Sequence, residues 1–171
     1  MRDRRFILFL SLFSFLKLSP IFEEKLNING DYRLRHLHVD DFRKGMCELL
    51  GQLTFIGSVE KSSFASFRFK LTPDHIVLVV EDFLQQKIIA AGTLFIEPKL
   101  IHSSGYVGHI EDIVTDELAR GKGLGKLIVS RLSDYARARG CYKTILDCSE
   151  DNVPFYTRCL FHSCGIEMEK R

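Results

Sequence analysis

Apolar and polar positions alternate along Tyr32-Arg33-Leu34-Arg35-His36-Leu37-His38, which predicts a strand with one buried face. Asp40 and Asp41 suit a helix start. Met46, Leu49, Leu50 and Leu53 recur at helical spacing, so Phe42–Leu53 reads as an amphipathic helix that Gly57-Ser58 brings to an end. A second helix is expected over Val59–Lys70, although Phe64, Phe67 and Phe69 also suit a strand. After a turn at Pro73-Asp74, His75–Glu81 carries the unbroken apolar run of a buried strand. Gln85-Gln86-Lys87 reverses the chain, and Ile88–Glu97 returns as a hairpin partner that Pro98 ends. Tyr106–Thr115 is a further strand. Leu127, Ile128, Leu132, Tyr135 and Ala136 then follow a helical period as far as Gly140, whose place suits a C-terminal cap. Lys143–Asp147 reads as a strand, Asn152–Cys159 as a short helix with Pro154 in its first turn, and Ile166–Met168 as a terminal strand. The succession implies an α/β domain whose mixed central sheet is flanked by helices on both faces.

The segment before this pattern is different. Met1–Arg5 is basic, and Phe6–Leu16 contains only apolar and Ser residues. That run falls short of the about 20 residues a membrane helix needs. No small-x-small cleavage site follows, and Lys17 and Pro20 interrupt the stretch. Three readings stand: a short anchor giving peripheral membrane contact through residues 6–22, a targeting sequence, or an appended extension. Residues 1–30 are therefore set apart, and residues 31–171 are read as the folded domain.

Length and a hydrophobic content of 46% suit one ordinary globular domain. The net charge of +2 is accounted for by residues 1–30, so the rest of the chain lacks the basic excess that nucleic-acid binding draws on. Cys47, Cys141, Cys148, Cys159 and Cys164 are odd in number and form no C-x-x-C pair. Neither a disulfide framework nor a metal site is expected, and a cytoplasmic location is favoured, free or at the cytosolic face of a membrane.

The candidate chemistry lies where the Tyr106–Thr115 strand runs into Arg120-Gly121-Lys122-Gly123-Leu124-Gly125 and then a helix. The first N–H groups of a helix lack internal partners and sit at its positive end, which makes them a phosphate site. Glycines let the backbone come close. A Walker loop is excluded because Leu127 follows Gly125-Lys126 where a hydroxyl is needed. The Rossmann spacing also fails, since its third glycine falls on Lys126 or Ile128. The spacing that fits is Arg/Gln-x-x-Gly-x-Gly/Ala, met by Arg120, Gly123 and Gly125.

That loop resembles the pyrophosphate loop of the GNAT acetyltransferases. Together with Gly108-His109-Ile110-Glu111-Asp112-Ile113-Val114, Gly140-Cys141-Tyr142-Lys143, Leu146-Asp147-Cys148 and Asn152-Val153-Pro154-Phe155-Tyr156, the chain is similar to the glucosamine-6-phosphate N-acetyltransferase family. The resemblance implies a GNAT fold, acetyl-CoA as co-substrate, glucosamine 6-phosphate as acceptor, no metal, and direct attack of the amine on the thioester. It implies that Asp112, Ile113 and Val114, the loop Arg120, Gly121, Lys122, Gly123, Leu124 and Gly125, and Asn152 and Tyr156 hold the CoA moiety. Tyr156, Glu111 and Asp147 are implied in catalysis. Thr54, Lys99, His102, Glu111, Asp112, Lys143, Asp147 and Arg171 are implied in holding the sugar phosphate. A homodimer with exchanged C-terminal strands is implied as well.

One departure stands out. The family has Gly after the cysteine of the Phe-Tyr helix, and this chain has Leu160. If the backbone there is left-handed, the side chain costs on the order of 1 kcal/mol. Three alternatives remain at this level: a GNAT enzyme for a peptide N-terminus or polyamine, a silent acyl-CoA-binding paralogue supported by Leu160 alone, and a membrane-anchored interaction protein supported by Phe6–Leu16 alone. A polyamine site would be acidic rather than built around Lys143 and Arg171.

Overall fold

The computed structural model describes residues 23–26 and 31–170. The N-terminal apolar run and Arg171 lie outside the described residues. Among the described residues, six strands form one sheet in sequential order: β1 (Glu23–Leu26), β2 (Tyr32–His36), β3 (His75–Asp82), β4 (Lys87–Pro98), β5 (Tyr106–Thr115) and β6 (Cys141–Ile145). Neighbours are antiparallel except β5 and β6, which run parallel. β1 falls within the segment set apart above; it pairs with β2, and Leu26 is buried in the core.

The alternation along β3 sorts the core into two layers. Ile76, Leu78 and Val80 face helix α3 (Leu124–Ala138) through Ile128, Val129, Leu132 and Ala136. Val77 and Val79 face the other way, towards Met46 and Leu49 of α1 (Met46–Leu50) and Phe64 of α2 (Lys61–Lys70). The expected mixed sheet with helices on both faces is therefore present.

Some expected elements differ. The single helix over Phe42–Leu53 is two pieces, a 3-10 helix Val39–Lys44 and α1, because Gly45 takes a left-handed φ of 79° between them. The 3-10 helix starts on a capping box in which Asp41 accepts from the His38 N–H at 2.7 Å. Asp41 also takes a two-point hydrogen bond from Arg35, which reaches Glu81 as well, and Lys44 donates to Glu81 at 2.5 Å. This buried charge network fastens β2, β3 and the 3-10 helix together. Burial opposes ionisation of Glu81, but the hydrogen bonds from Lys44 and Arg35 outweigh it and hold its carboxyl below the usual range.

At the other end, the expected strand over Ile166–Met168 is not formed. Residues 162–170 have no regular structure and are exposed. A strand needs an edge to pair with, and this stretch pairs with none of the described strands. Between β4 and β5, Ile101–Ser104 makes one helical turn that winds left-handed at His102, Ser103 and Ser104, with φ of 51°, 57° and 59°.

Candidate active site

Two irregularities in β5 create the site. The first is a bulge: Ala91 pairs with Val114 and Thr93 with Glu111, so Asp112 and Ile113 together face Gly92 alone. Asp112 adopts a left-handed φ of 54° to absorb the extra residue. Gly92 is buried beneath α3, where a Cβ would come within 2.6 Å of Ile128 Cγ2. The second is a splay. Pairing of β5 with β6 stops at His109–Ile145, whereas β5 continues to Thr115. Among the described residues, the edge of β5 turned towards β6 has no strand partner along Ile110–Thr115, and a ligand with amide groups could pair there.

A cleft of about 710 Å³ occupies this region. One wall is Ile113, Val114 and Thr115 of β5; the other is Asn152, Phe155, Tyr156 and Cys159 of helix α4 (Val153–Arg158) and its flanks. Its floor is Arg120, Gly121 and Gly123 with the first turn of α3, and Gln52 and Leu53 close a third side. Gly123 precedes α3 with φ 78°, so the chain turns sharply and presents the helix's first N–H groups to the cleft. Gly125 serves by its lack of bulk. A Cβ there would meet the Phe155 ring at 3.3 Å and Thr115 Oγ1 at 3.4 Å.

Of the residues expected to hold CoA, Ile113, Val114, Arg120, Gly121, Gly123, Leu124, Gly125, Asn152 and Tyr156 line the cleft, whereas Asp112 and Lys122 do not. The Leu124 side chain is buried in the core and offers only its backbone. The Lys122 ammonium donates to the Tyr32 hydroxyl at 2.6 Å and sits 5.0 Å from the centre of that ring, which braces the loop against β2. Asn152 precedes α4 but makes no side-chain cap; it lines the cleft and donates to Ser149 Oγ at 3.1 Å.

Tyr156 lines the cleft, and Glu111, exposed and outside the lining, is near enough to act on its charge. Burial, then the neighbouring Cys148, Cys159 and Glu111, push the Tyr156 phenol up to about 12. Burial, then Asp147 and Asp112, push the Glu111 carboxyl up. His109 opposes that shift, and its ring Nε2 lies 3.0 Å from Glu97 Oε2, which the Lys99 ammonium also reaches at 2.5 Å. The hydrogen bonds from Lys99 and His109 hold Glu97 below its ordinary range. His102 stacks on Tyr142 with ring centres 4.2 Å apart. Lys143, Asp147 and Thr54 are exposed, Arg171 is outside the described residues, and Thr54 is not part of the cleft lining. The acceptor residues are therefore spread over the open side rather than gathered in a pocket. No group of three metal-type ligands occurs among the described residues.

Gln52, Thr115, Phe155 and Cys159 line the cleft without having been singled out from the sequence. Phe155 was within reach, since it stands in the same Phe-Tyr pair as Tyr156. The others carry no local signal.

A splayed, bulged strand running through a glycine turn into a helix defines a GNAT acetyltransferase, and the model of the Acetyltransferase (GNAT) family matches residues 32–161. Glucosamine 6-phosphate N-acetyltransferase of Arabidopsis thaliana is 44% identical over 143 residues, which cover 81% of this chain and 95% of that protein. Glucosamine 6-phosphate N-acetyltransferase 1 of Dictyostelium discoideum is 43% identical, covering 82% of this chain and 91% of its own. The crystal structure of the Arabidopsis enzyme superposes with a TM-score of 0.80 at 43% identity, covering 82% of this chain and 97% of that one. The chain belongs to the GNAT acetyltransferases, in the family of glucosamine 6-phosphate N-acetyltransferases. Among the described residues no helix is long and apolar enough to cross a membrane.

Proposed function

We propose that this chain transfers the acetyl group of acetyl-CoA to the amine of glucosamine 6-phosphate, giving N-acetylglucosamine 6-phosphate on the way to UDP-N-acetylglucosamine. The observation that carries the reading is the cleft itself. Its glycine turn and helix N-terminus suit a pyrophosphate, the β5 edge beyond the β6 pairing suits the amides of a pantetheine arm, and its wall carries Tyr156, on which Glu111 acts electrostatically.

The sugar amine attacks the thioester carbonyl directly, the carbon–sulfur bond breaks, and the thiolate leaves. A thiol has a pKa of about 8.5, well below that of Tyr156. The phenol therefore keeps its proton and acts as a hydrogen-bond donor to the developing thiolate. Glu111, with its carboxyl raised by burial and by Asp147 and Asp112, takes the proton from the amine more readily than an ordinary glutamate. Lys143 and Arg171 supply the cations for the sugar phosphate. Asp147 and Asp112 hold the amine side of the sugar, with Thr54, Lys99 and His102 bordering it.

Homodimerisation by exchange of C-terminal strands belongs to the same proposal. It is supported by residues 162–170, which lie exposed and outside the described sheet, with Ile166 and Met168 each 92% exposed. Cytoplasmic residence is supported by five free cysteines. The catalytic unit is residues 31–171 with β1 added at its edge, and residues 6–22 are the segment that would meet a membrane surface.

The test is CoA release from acetyl-CoA by the full chain, with glucosamine 6-phosphate, glucosamine or spermidine as acceptor. Fast release with the sugar phosphate alone is expected. Release with spermidine alone overturns the choice of acceptor, and CoA binding without release overturns the enzyme.

A further inference from the structure

The cleft wall formed by Gln52 and Leu53 belongs to the turn after α1, far in sequence from the phosphate loop. Among the described residues, side-chain hydrogen bonds join the two through one group. Gln52 Nε2 donates to Asp116 Oδ2 at 3.3 Å, and Gln52 Oε1 accepts from the Glu117 N–H at 3.0 Å. Asp116 is 2% exposed. It also accepts from Lys87 Nζ of β4 at 2.7 Å and from the Leu118 N–H at 3.0 Å. The second of these caps the 3-10 helix Glu117–Ala119, which delivers the chain to Arg120. The Lys87 hydrogen bond, against some burial, holds the Asp116 carboxyl below its ordinary range, so it is an anion at neutral pH.

Gln52 thus faces a carboxylate that needs a donor and, one residue on, a backbone N–H at a helix start that needs an acceptor. A primary amide supplies both at once. A carboxylate supplies only the acceptor and sets a second negative charge against Asp116. Below this side chain the turn is held by its own backbone, through Gln52 N–H to Leu49 and Thr54 N–H to Leu50. Those bonds fix the turn on α1 but not against the phosphate loop.

We propose that Gln52 is a positioning residue, a latch that holds the Gln52–Thr54 wall against the loop feeding Arg120–Gly125 and so sets the width of the cleft for the acyl donor. It acts through Asp116 and Glu117 and takes no part in bond making. The inference rests on the acetyl-CoA reading of the cleft.

The test compares Gln52→Ala and Gln52→Glu with the unaltered full chain, by steady-state kinetics in acetyl-CoA and by direct titration with CoA. Loss of both hydrogen bonds raises KM for acetyl-CoA and Kd for CoA about ten-fold, with kcat altered less than about three-fold. Glu fills the same volume, so a side chain that merely occupied space would tolerate it. The latch requires Gln52→Glu to be as impaired as Gln52→Ala or worse. Unaltered-chain KM and Kd in Gln52→Glu, or in both variants, overturns the latch. Failure of the unaltered chain to bind CoA overturns instead the reading of the cleft on which the latch rests.

Discussion

The donor side of the cleft and its acceptor side are built in different ways. The donor side is built mainly on one continuous stretch, the bulge at Asp112, the exposed turn at Gly121–Gly123 and helix α3, whose inner face packs on the buried core, with Tyr156 of α4 on the facing wall. The acceptor side is assembled from pieces distant in sequence: the left-handed turn at His102–Ser104, the edge strand β6, and residues after α4. Lys143, Asp147 and the C-terminal residues are exposed, and Leu100 beside the turn is 94% exposed. Phosphate and amide recognition need only backbone geometry, which a single chain folds by itself. Recognition of a charged sugar needs converging side chains, and the residues proposed for it stand on an open face.

Breaking the donor side at its chemical end has the largest expected effect. Tyr156→Phe removes the donor to the leaving sulfur and lowers kcat by about a hundred-fold, the size of losing one preorganised donor. CoA affinity stays within a few-fold by titration. An equal loss of affinity would mean that Tyr156 holds CoA rather than aids the transfer.

Breaking the donor side at its packing is next. Gly92→Ala puts a methyl against Ile113 and Ile128 and costs about 1–3 kcal/mol of stability in urea unfolding, the price of overpacking. Ala at Gly121 meets no neighbour within 4 Å; any cost there comes from its φ of 80° alone.

The acceptor side is sharpened by pH. Glu111 is raised by burial first and by Asp147 next. Asp147→Asn removes one of those causes, so the acid limb of the kcat/KM profile moves to lower pH. The sign for stability follows: a carboxyl raised in the folded state contributes below its unfolded pKa, and that contribution is lost as pH rises through the folded value. A profile unmoved by Asp147→Asn would separate Glu111 from the acid limb.

The smallest effect concerns Leu160. Cys159, Leu160 and Phe161 close α4 with a C-terminal cap in which Leu160 donates to Thr157 and Phe161 donates to Tyr156, while the rings of Phe161 and Tyr156 pack 6.3 Å apart. Leu160 bears the φ of 71° that this cap imposes, and its side chain is almost fully exposed. Leu160→Gly is expected to stabilise by about 0.5–1 kcal/mol, the left-handed strain relieved less the added freedom of the unfolded chain. Thermal melting reads this directly. No gain would mean that the strain is relaxed elsewhere.

The same division marks what could be read in the sequence. β2 to β5 and α3 announce themselves because each buries a periodic face, and the glycine turn because its spacing has one chemical reading. Leu160 marks its strained turn only through the departure from the family's glycine, and its backbone is left-handed. The bulge shows in the sequence only as two consecutive polar residues, Glu111-Asp112, between Ile110 and Ile113, which by themselves do not specify a bulge. β1 is four residues, Glu-Glu-Lys-Leu, too short to show a period, and gains its place only by pairing with β2. The turn at His102-Ser103-Ser104 carries none of the glycines or asparagines that normally mark positive φ. Gln52 looked like any polar residue at a helix end, because its two partners lie more than sixty residues away. Ile166-Glu167-Met168 has a strand's apolar alternation, but a strand exists only with a neighbour.

The central claim is acetyl transfer to a sugar amine, and the most direct measurement is identification of the product. The full chain is incubated with acetyl-CoA carrying a labelled acetyl group and with glucosamine 6-phosphate, and label and free CoA are quantified together. The account predicts one N-acetylated sugar phosphate for each CoA released. CoA release with the label appearing as free acetate, or on a hydroxyl of the sugar, would contradict it.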